Sequence, residues 1–303
     1  MLDFSGLELA TPINADDIKN RWLNSYVPIP GQKSKEYSAN VGIFIYRMLK
    51  SYTADAMYGC GSHPFIHSSQ LAATRMTLPL STCLNLVRIC EKPLPGSEIA
   101  VADMVQQEMR GIYNQREMYD DFTLLGAFQS YLIYSMVLFF RFGETSNPFL
   151  REAVMNLQDL ACSTSRQGVM CVAEQHHIRP GWEAWIVTEA KRRTLYVMYL
   201  FDNLLSTHEG LTTFLGAELQ GLPAPSNKTL WRAQTRSEWK VAYNVHLGKW
   251  PQGSLRIDEL WAVPESVNQS GLAERHRRVD QWLEDVDEFG TMLYAVTCCT
   301  HGT

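Results

Sequence analysis

Metal ligation leaves the most specific spacing a sequence can show, so the cysteines and histidines come first. Cys60, His63 and His67 form C-x2-H-x3-H, the spacing of half a structural zinc site. Pro64 keeps the two histidines off a common helical turn, and no fourth ligand stands nearby, so buried thiols and turn histidines are expected instead. Cys83 and Cys90 have the six-residue gap of one pair in a binuclear zinc cluster, without the other cysteines such a cluster needs. Cys298 and Cys299 read as free thiols. Carboxylates are no more suggestive. Asp120 and Asp121 lack the third carboxylate of an isoprenoid-cyclase Mg²⁺ site, in which metal ions hold a diphosphate. Asp202, Asn203, Ser206 and Glu209 approximate the second motif of such a site, but Ser206 to Glu209 is one residue short, and polar caps at a helix end are expected. Neither a G-x-S-x-G elbow nor a glycine-rich phosphate loop occurs.

Two short basic runs remain, Lys191-Arg192-Arg193 and Arg275-His276-Arg277-Arg278. Either could touch phosphate. Glu189, however, lies three and four residues before Arg192 and Arg193, the spacing of an ion pair within one helix. At least one of these arginines is therefore expected to be a structural partner of Glu189.

Helical spacing of apolar residues dominates the chain that must position these groups. It predicts helices near 16–26, 38–53, 81–91, 99–120, 124–140, 149–162, 182–206, 228–248 and 271–296, about ten in all. Breaks fall at V-P-I-P-G (27–31), 59–64, K-P-L-P-G-S-E (92–98), R-P-G (179–181) and L-P-A-P-S (222–226). Ser97 is expected to cap the helix that follows it, with Glu98 in the first turn. The run 124–140 holds seventeen residues without a formal charge. It is shorter than the ~20 apolar residues of a bilayer span and contains Gln129, so a helix buried at the centre of the fold is expected and no membrane contact. The expectation is all-α, a single large multi-helix domain.

Composition narrows the function classes. The 303 residues are 46% hydrophobic, enough for a sizeable core, and a net charge of −5 gives no general attraction to nucleic acid or anionic membrane. Seven scattered cysteines fit a reducing compartment better than a disulfide framework. Residues 1–10 carry Asp3 and Glu8 and no basic region, so a secretory signal is not expected.

Several segments, taken in order, resemble the fungal transcription-factor regulatory domain, the middle homology region of fungal zinc-cluster regulators. H-P-F-I-H-S-S-Q-L at 63–71 is similar to that family's P-P-F-I-H-P-x-Q-L, and L-P-L-S-T-C-L-N-L-V-R (78–88), P-G-S-E (95–98) and the apolar helix follow in the family's order. W-E-A-W-I-V-T-E-A-K-R-R-T at 182–194 is similar to its W-x2-W-x3-E-x2-R-R-T helix. D-N-L-L-S (202–206), L-P-A-P (222–225) and the Trp231/Trp239 pair complete the series.

The resemblance spans roughly 40–265, with 1–39 an N-terminal extension of a short helix and loop, and 266–303 a C-terminal helix completing the same domain. It implies a nuclear regulator of RNA polymerase II transcription, tied to a metabolic gene set, acting through protein partners or as a homodimer, with a small-molecule effector as a further expectation. It implies no enzyme and no cofactor, and it marks Phe65, Ile66, His67, Trp182, Trp185, Glu189, Arg192 and Arg193 as structural signature residues, none of them catalytic or metal-binding. Neither six clustered cysteines nor Cys2His2 fingers occur before residue 40, so DNA contact is expected only through a module absent from this sequence. An enzyme or a scaffold reusing the helical fold in a specialised metabolic pathway is the competing expectation.

Overall fold

A computed structural model describes residues 2–27, 34–35, 37–59, 63–72, 76–142, 148–264 and 267–301. The fold is all-α. Among the described residues are twelve α-helices: α1 (Ala15–Lys19), α2 (Ala39–Tyr58), α3 (Leu78–Ile89), α4 (Glu98–Gln115), α5 (Asp121–Phe142), α6 (Pro148–Arg166), α7 (Val172–Gln175), α8 (Trp182–His208), α9 (Lys228–Arg232), α10 (Arg236–Lys249), α11 (Gln269–Leu283) and α12 (Glu288–His301). Two antiparallel pairs of two-residue strands tie distant segments together. Strand β1 (Leu9–Ala10) pairs with β3 (Met170–Cys171), and β2 (Ser34–Lys35) with β4 (Thr213–Phe214).

Local chemistry sets the helix ends. The Ser38 hydroxyl accepts from Val41 N–H to start α2, which ends at Gly59 with φ +66°, a left-handed conformation glycine adopts without strain. Helix α5 is long and apolar enough to cross a membrane by length and composition. Here it is buried among α2, α3, α4, α6 and α8. A Cβ at Gly126 would lie 2.1 Å from the Thr77 hydroxyl, so glycine permits the close approach of α5 to the start of α3.

Several expected boundaries are corrected. The single helix over 16–26 is α1 followed by a 3-10 turn, Arg21–Ser25, and the helix over 99–120 closes in another, Arg116–Met118. Ser97 is the residue ahead of α4, but its hydroxyl donates backwards to Leu94 O rather than capping the helix. The stretches 228–248 and 271–296 each divide into two helices. At the first break Thr235 restarts the chain by accepting from Glu238 N–H, and at the second Asp287 accepts from Gly290 N–H. Ahead of α2, α1 packs on α6, and Arg21 is only 4% exposed.

Two hydrophobic cores result. The larger gathers α2 to α6, the C-terminal half of α8 and α11–α12. The smaller collects the N-terminal half of α8 with α9 and α10, around Trp182, Trp185, Trp231 and Trp239. Helix α8 runs through both.

Candidate functional site

Helix α8 carries the W-x2-W-x3-E-x2-R-R-T segment, and its side chains are buried without interruption from Trp182 to Phe201. Trp182 and Trp185 enter the smaller core together, where Trp185 packs on Trp239 at 5.7 Å between ring centroids. One turn further on, Glu189 is fully buried between two arginines. Its Oε2 accepts from Arg192 Nη2 at 2.8 Å and its Oε1 from Arg193 Nε at 2.7 Å, so both spacings produce ion pairs. Burial alone would raise the Glu189 carboxyl, but Arg193 and Arg192 outweigh it and hold it down at about 2.

The arginines then reach away from the helix. Arg193 Nη1 pairs with Asp287 at 2.6 Å and donates to Pro64 O at 3.1 Å, while Nη2 donates to Ser226 O. Its guanidinium lies 4.2 Å from the Trp231 ring centroid, a cation–π contact. Ser226 answers with its own N–H, donated to Glu189 Oε1 at 2.9 Å. Asp287 accepts from Arg193 with one oxygen and caps α12 with the other. Arg192 Nη1 donates to Val169 O and Lys191 Nζ to Gly168 O, which locks the strand that carries β3 against α8. A Cβ at Gly168, whose φ is +108°, would lie 2.3 Å from the Leu9 Cβ, so β1 can cross here only over glycine.

Phe65, Ile66 and His67 form the other side of this centre. Each is 1% exposed. His67 opens a 3-10 turn at Ser68–Gln70 through a reciprocal cap with Gln70, and its ring lies edge-on to Trp231 at 4.9 Å. Burial, with Arg193 adding to it, lowers its imidazole to about 4, so the ring is neutral at pH 7. Gln129 of α5 donates to Phe65 O, tying the turn to the larger core.

The chain matches no family model, no curated protein and no solved structure.

Glu189, Arg192 and Arg193 thus form one charge cluster, with both carboxylate oxygens of Glu189 committed and every guanidinium nitrogen except Arg192 Nε held by a partner. This arrangement fixes the mutual register of α8, the turn after Pro64, the 222–226 connector and the start of α12. Among the described residues no three His, Cys, Asp or Glu side chains gather as a metal site. Cys60 lies outside the described residues, so the C-x2-H-x3-H set is represented only by His63 and His67. Asp202 and Asn203 both bind Arg21, with Asp202 Oδ2 2.8 Å from Arg21 Nε and Asn203 Oδ1 3.1 Å from Nη2. The second basic run is structural too. Arg278 pairs with Glu259 at 2.7 Å, Arg275 donates to backbone carbonyls at 258–261, and Arg277 pairs with Glu274.

Sequence reasoning missed Asp287, Ser226 and Arg21. Their partners lie 94, 33 and 181 residues away, and no local spacing links them. A buried second carboxylate could have been inferred for the α8 cluster, since one glutamate cannot neutralise two buried arginines.

Proposed function

We propose that the chain is the regulatory domain of a fungal zinc-cluster-type transcription factor, acting in the nucleus on transcription by RNA polymerase II. The supporting observation is that Arg193, in the W-x2-W-x3-E-x2-R-R-T segment, binds Pro64 O of the H-P-F-I-H segment and Ser226 O beside the L-P-A-P segment. Segments noted for their resemblance and order are thereby joined through one side chain, as expected if they belong to one family core. In this reading the domain works through protein partners or a second copy of itself. DNA contact comes from a zinc-cluster module outside these 303 residues, on a longer form of the chain or on a partner. No chemistry of its own is assigned to it.

Chromatin occupancy of the tagged protein, read beside transcript levels after gene deletion, tests the proposal. A defined gene set should change, with occupancy at its promoters. An unchanged transcriptome under inducing conditions, with no occupancy, overturns it.

A further inference from the structure

Helix α10 closes the smaller core with one face and presents the opposite face to solvent. It buries Trp239, Tyr243 and His246 and turns Val241 and Val245 outward, 66% and 57% exposed. Ser237 and Gly248, both exposed, continue the same stripe toward the two ends of the helix. A Cβ at Gly248 would meet nothing within 4 Å, so packing within the chain does not require glycine there. Along one flank of the stripe lie Glu238 and Lys249, both exposed and about three turns apart. On the other flank Arg179 Nη1 donates to Asn244 Oδ1 at 2.7 Å, so the segment that carries Ile178, itself 60% exposed, borders this face.

These residues are arranged about one point. Val241 with Val245, Ser237 with Gly248 and Glu238 with Lys249 are each centred within half a residue of Tyr243. A second α10 running antiparallel, related by a two-fold axis at that point, therefore meets the same pattern in reverse. Val241 packs on Val245 of the second copy, and Val245 on its Val241. The two-fold brings like flanks together, so Glu238 faces Lys249 of the second copy at both ends. Parallel helices would set those flanks apart and form neither ion pair. The small residues at 237 and 248 let the two backbones approach. Both charges can take this partner. Glu238 Oε2 accepts from Gln234 N–H at 2.9 Å, and its Oε1 is uncommitted among the described residues. Lys249 pairs with Asp285 at 3.2 Å and keeps further N–H groups to donate. The other charges of the helix, Arg236 and Lys240, lie more than a quarter turn from the valines, and Arg236 pairs with Glu183.

We propose that α10 is a self-association face, on which two copies of the chain pair antiparallel about Tyr243. A helix pair of this size gives a weak, concentration-dependent dimer. Such pairing is independent of the transcriptional reading, because it is measured on the purified chain alone and its failure leaves that reading untouched.

The test is sedimentation velocity over an about hundredfold range of protein concentration. The wild type should pass from monomer to dimer, and a monomer throughout overturns the proposal. Val241→Glu alone, or Val245→Lys alone, sets a charge against an apolar residue of the second copy and should weaken association at least about tenfold. Both positions are more than half exposed, so each variant should keep the wild-type melting temperature. Antiparallel pairing makes a further demand. In an equimolar mixture of the two variants the new carboxylate at 241 faces the new ammonium at 245, so the mixture should dimerise more tightly than either variant alone. A mixture no tighter than its components, or dimers indifferent to both substitutions, places the contact elsewhere and overturns the assignment.

Discussion

Helices α5 and α8 are both buried on nearly every side, and they reach that state by opposite chemistry. From Leu124 to Phe139, α5 has sixteen consecutive buried residues and no charge among them. Ser130 and Ser135 donate to carbonyls one turn back in the same helix, and Gln129 alone among its amide and serine side chains reaches outside it, to Phe65 O. The buried stretch of α8 carries Glu183, Glu189, Lys191, Arg192 and Arg193. Apolar burial contributes free energy in proportion to area and accepts many neighbours of suitable shape. A buried charge needs a counter-charge or an aimed backbone carbonyl at hydrogen-bond distance, so it specifies which segment lies where. Helix α5 thus supplies cohesion and α8 supplies register.

The most damaging single change should be Glu189→Ala, which removes the carboxylate shared by two buried guanidinium groups, leaving Arg193 only Asp287 and Arg192 only Glu174, and costs about 3–5 kcal/mol. Leu132→Ala in α5, from a side chain that is 0% exposed, costs about 2–5 kcal/mol by leaving a cavity. Urea denaturation measures both, and a second substitution separates their causes. Arg193→Met should cost clearly less in the Glu189→Ala background than in the wild type, because its pair with Glu189 is already gone and only the one with Asp287 is left to break. Equal costs in both backgrounds would mean that α8 is held by packing alone, as α5 is. Trp185→Ala, at about 3–5 kcal/mol, tests the packing on α8 itself.

Acid sharpens the same contrast. The Glu189 carboxyl, held at about 2 in the fold against 4.5 ordinarily, contributes stability that is complete above pH 4.5 and is lost as the pH falls toward 2. The unfolded chain binds the extra proton throughout that window, so acid favours unfolding by up to about 3 kcal/mol from this group. His67 and His246, both lowered to about 4 chiefly by burial, add an earlier loss between pH 6.5 and 4. Urea midpoints of Leu132→Ala should follow the wild-type pH profile. Those of Glu189→Gln should lose the part of the fall below pH 4.5 that this carboxyl supplies.

The two helices also differ in how far a sequence reveals them. The burial of α5 follows from the absence of charge over seventeen residues, a signal contained in the run itself. On α8 the Glu189–Arg192–Arg193 spacing disclosed the pairs within the helix and stopped there. Asp287, Pro64 O and Ser226 O come from other parts of the chain, and no periodicity encodes which carbonyl a guanidinium will meet. Lys191 is the clearest case. In a basic run it reads as a solvated or phosphate-touching residue, yet it is fully buried on a carbonyl oxygen. The missed breaks are of a different kind. T-R-S-E at 235–238 carries the Thr and Glu of a capping signal that the longer apolar pattern obscured, and the Glu238 side chain accepts from Gln234 N–H.

Lys191 also provides the gentlest test of the contrast, one in which α8 gains stability. Its ammonium donates to Gly168 O, with no carboxylate in ion-pair range among the described residues, and burial lowers it to about 8 from an ordinary 10.5. The folded chain therefore releases this proton before the unfolded chain does. Between pH 8 and 10.5 the unfolded state holds more protons, and this group's contribution to stability rises with pH across that window. Below pH 8 the lysine is charged in both states, and its burial weakens the fold by an amount that no longer changes. Lys191→Met keeps the side chain's length and removes the charge, so it should stabilise the protein at pH 7. The full shift corresponds to about 3 kcal/mol. Leaving Gly168 O without its donor offsets about 1–3 kcal/mol of that, so a gain of about 1 kcal/mol is expected. The gain should shrink as pH rises above 8, be gone near pH 9 and become a loss of about 1–3 kcal/mol by 10.5, where the neutral wild-type lysine still donates to Gly168 O. A loss of stability at pH 7 would instead show that the bond to Gly168 O outweighs the buried charge. Lys191 would then be one more register contact of α8, alongside Arg192 and Arg193.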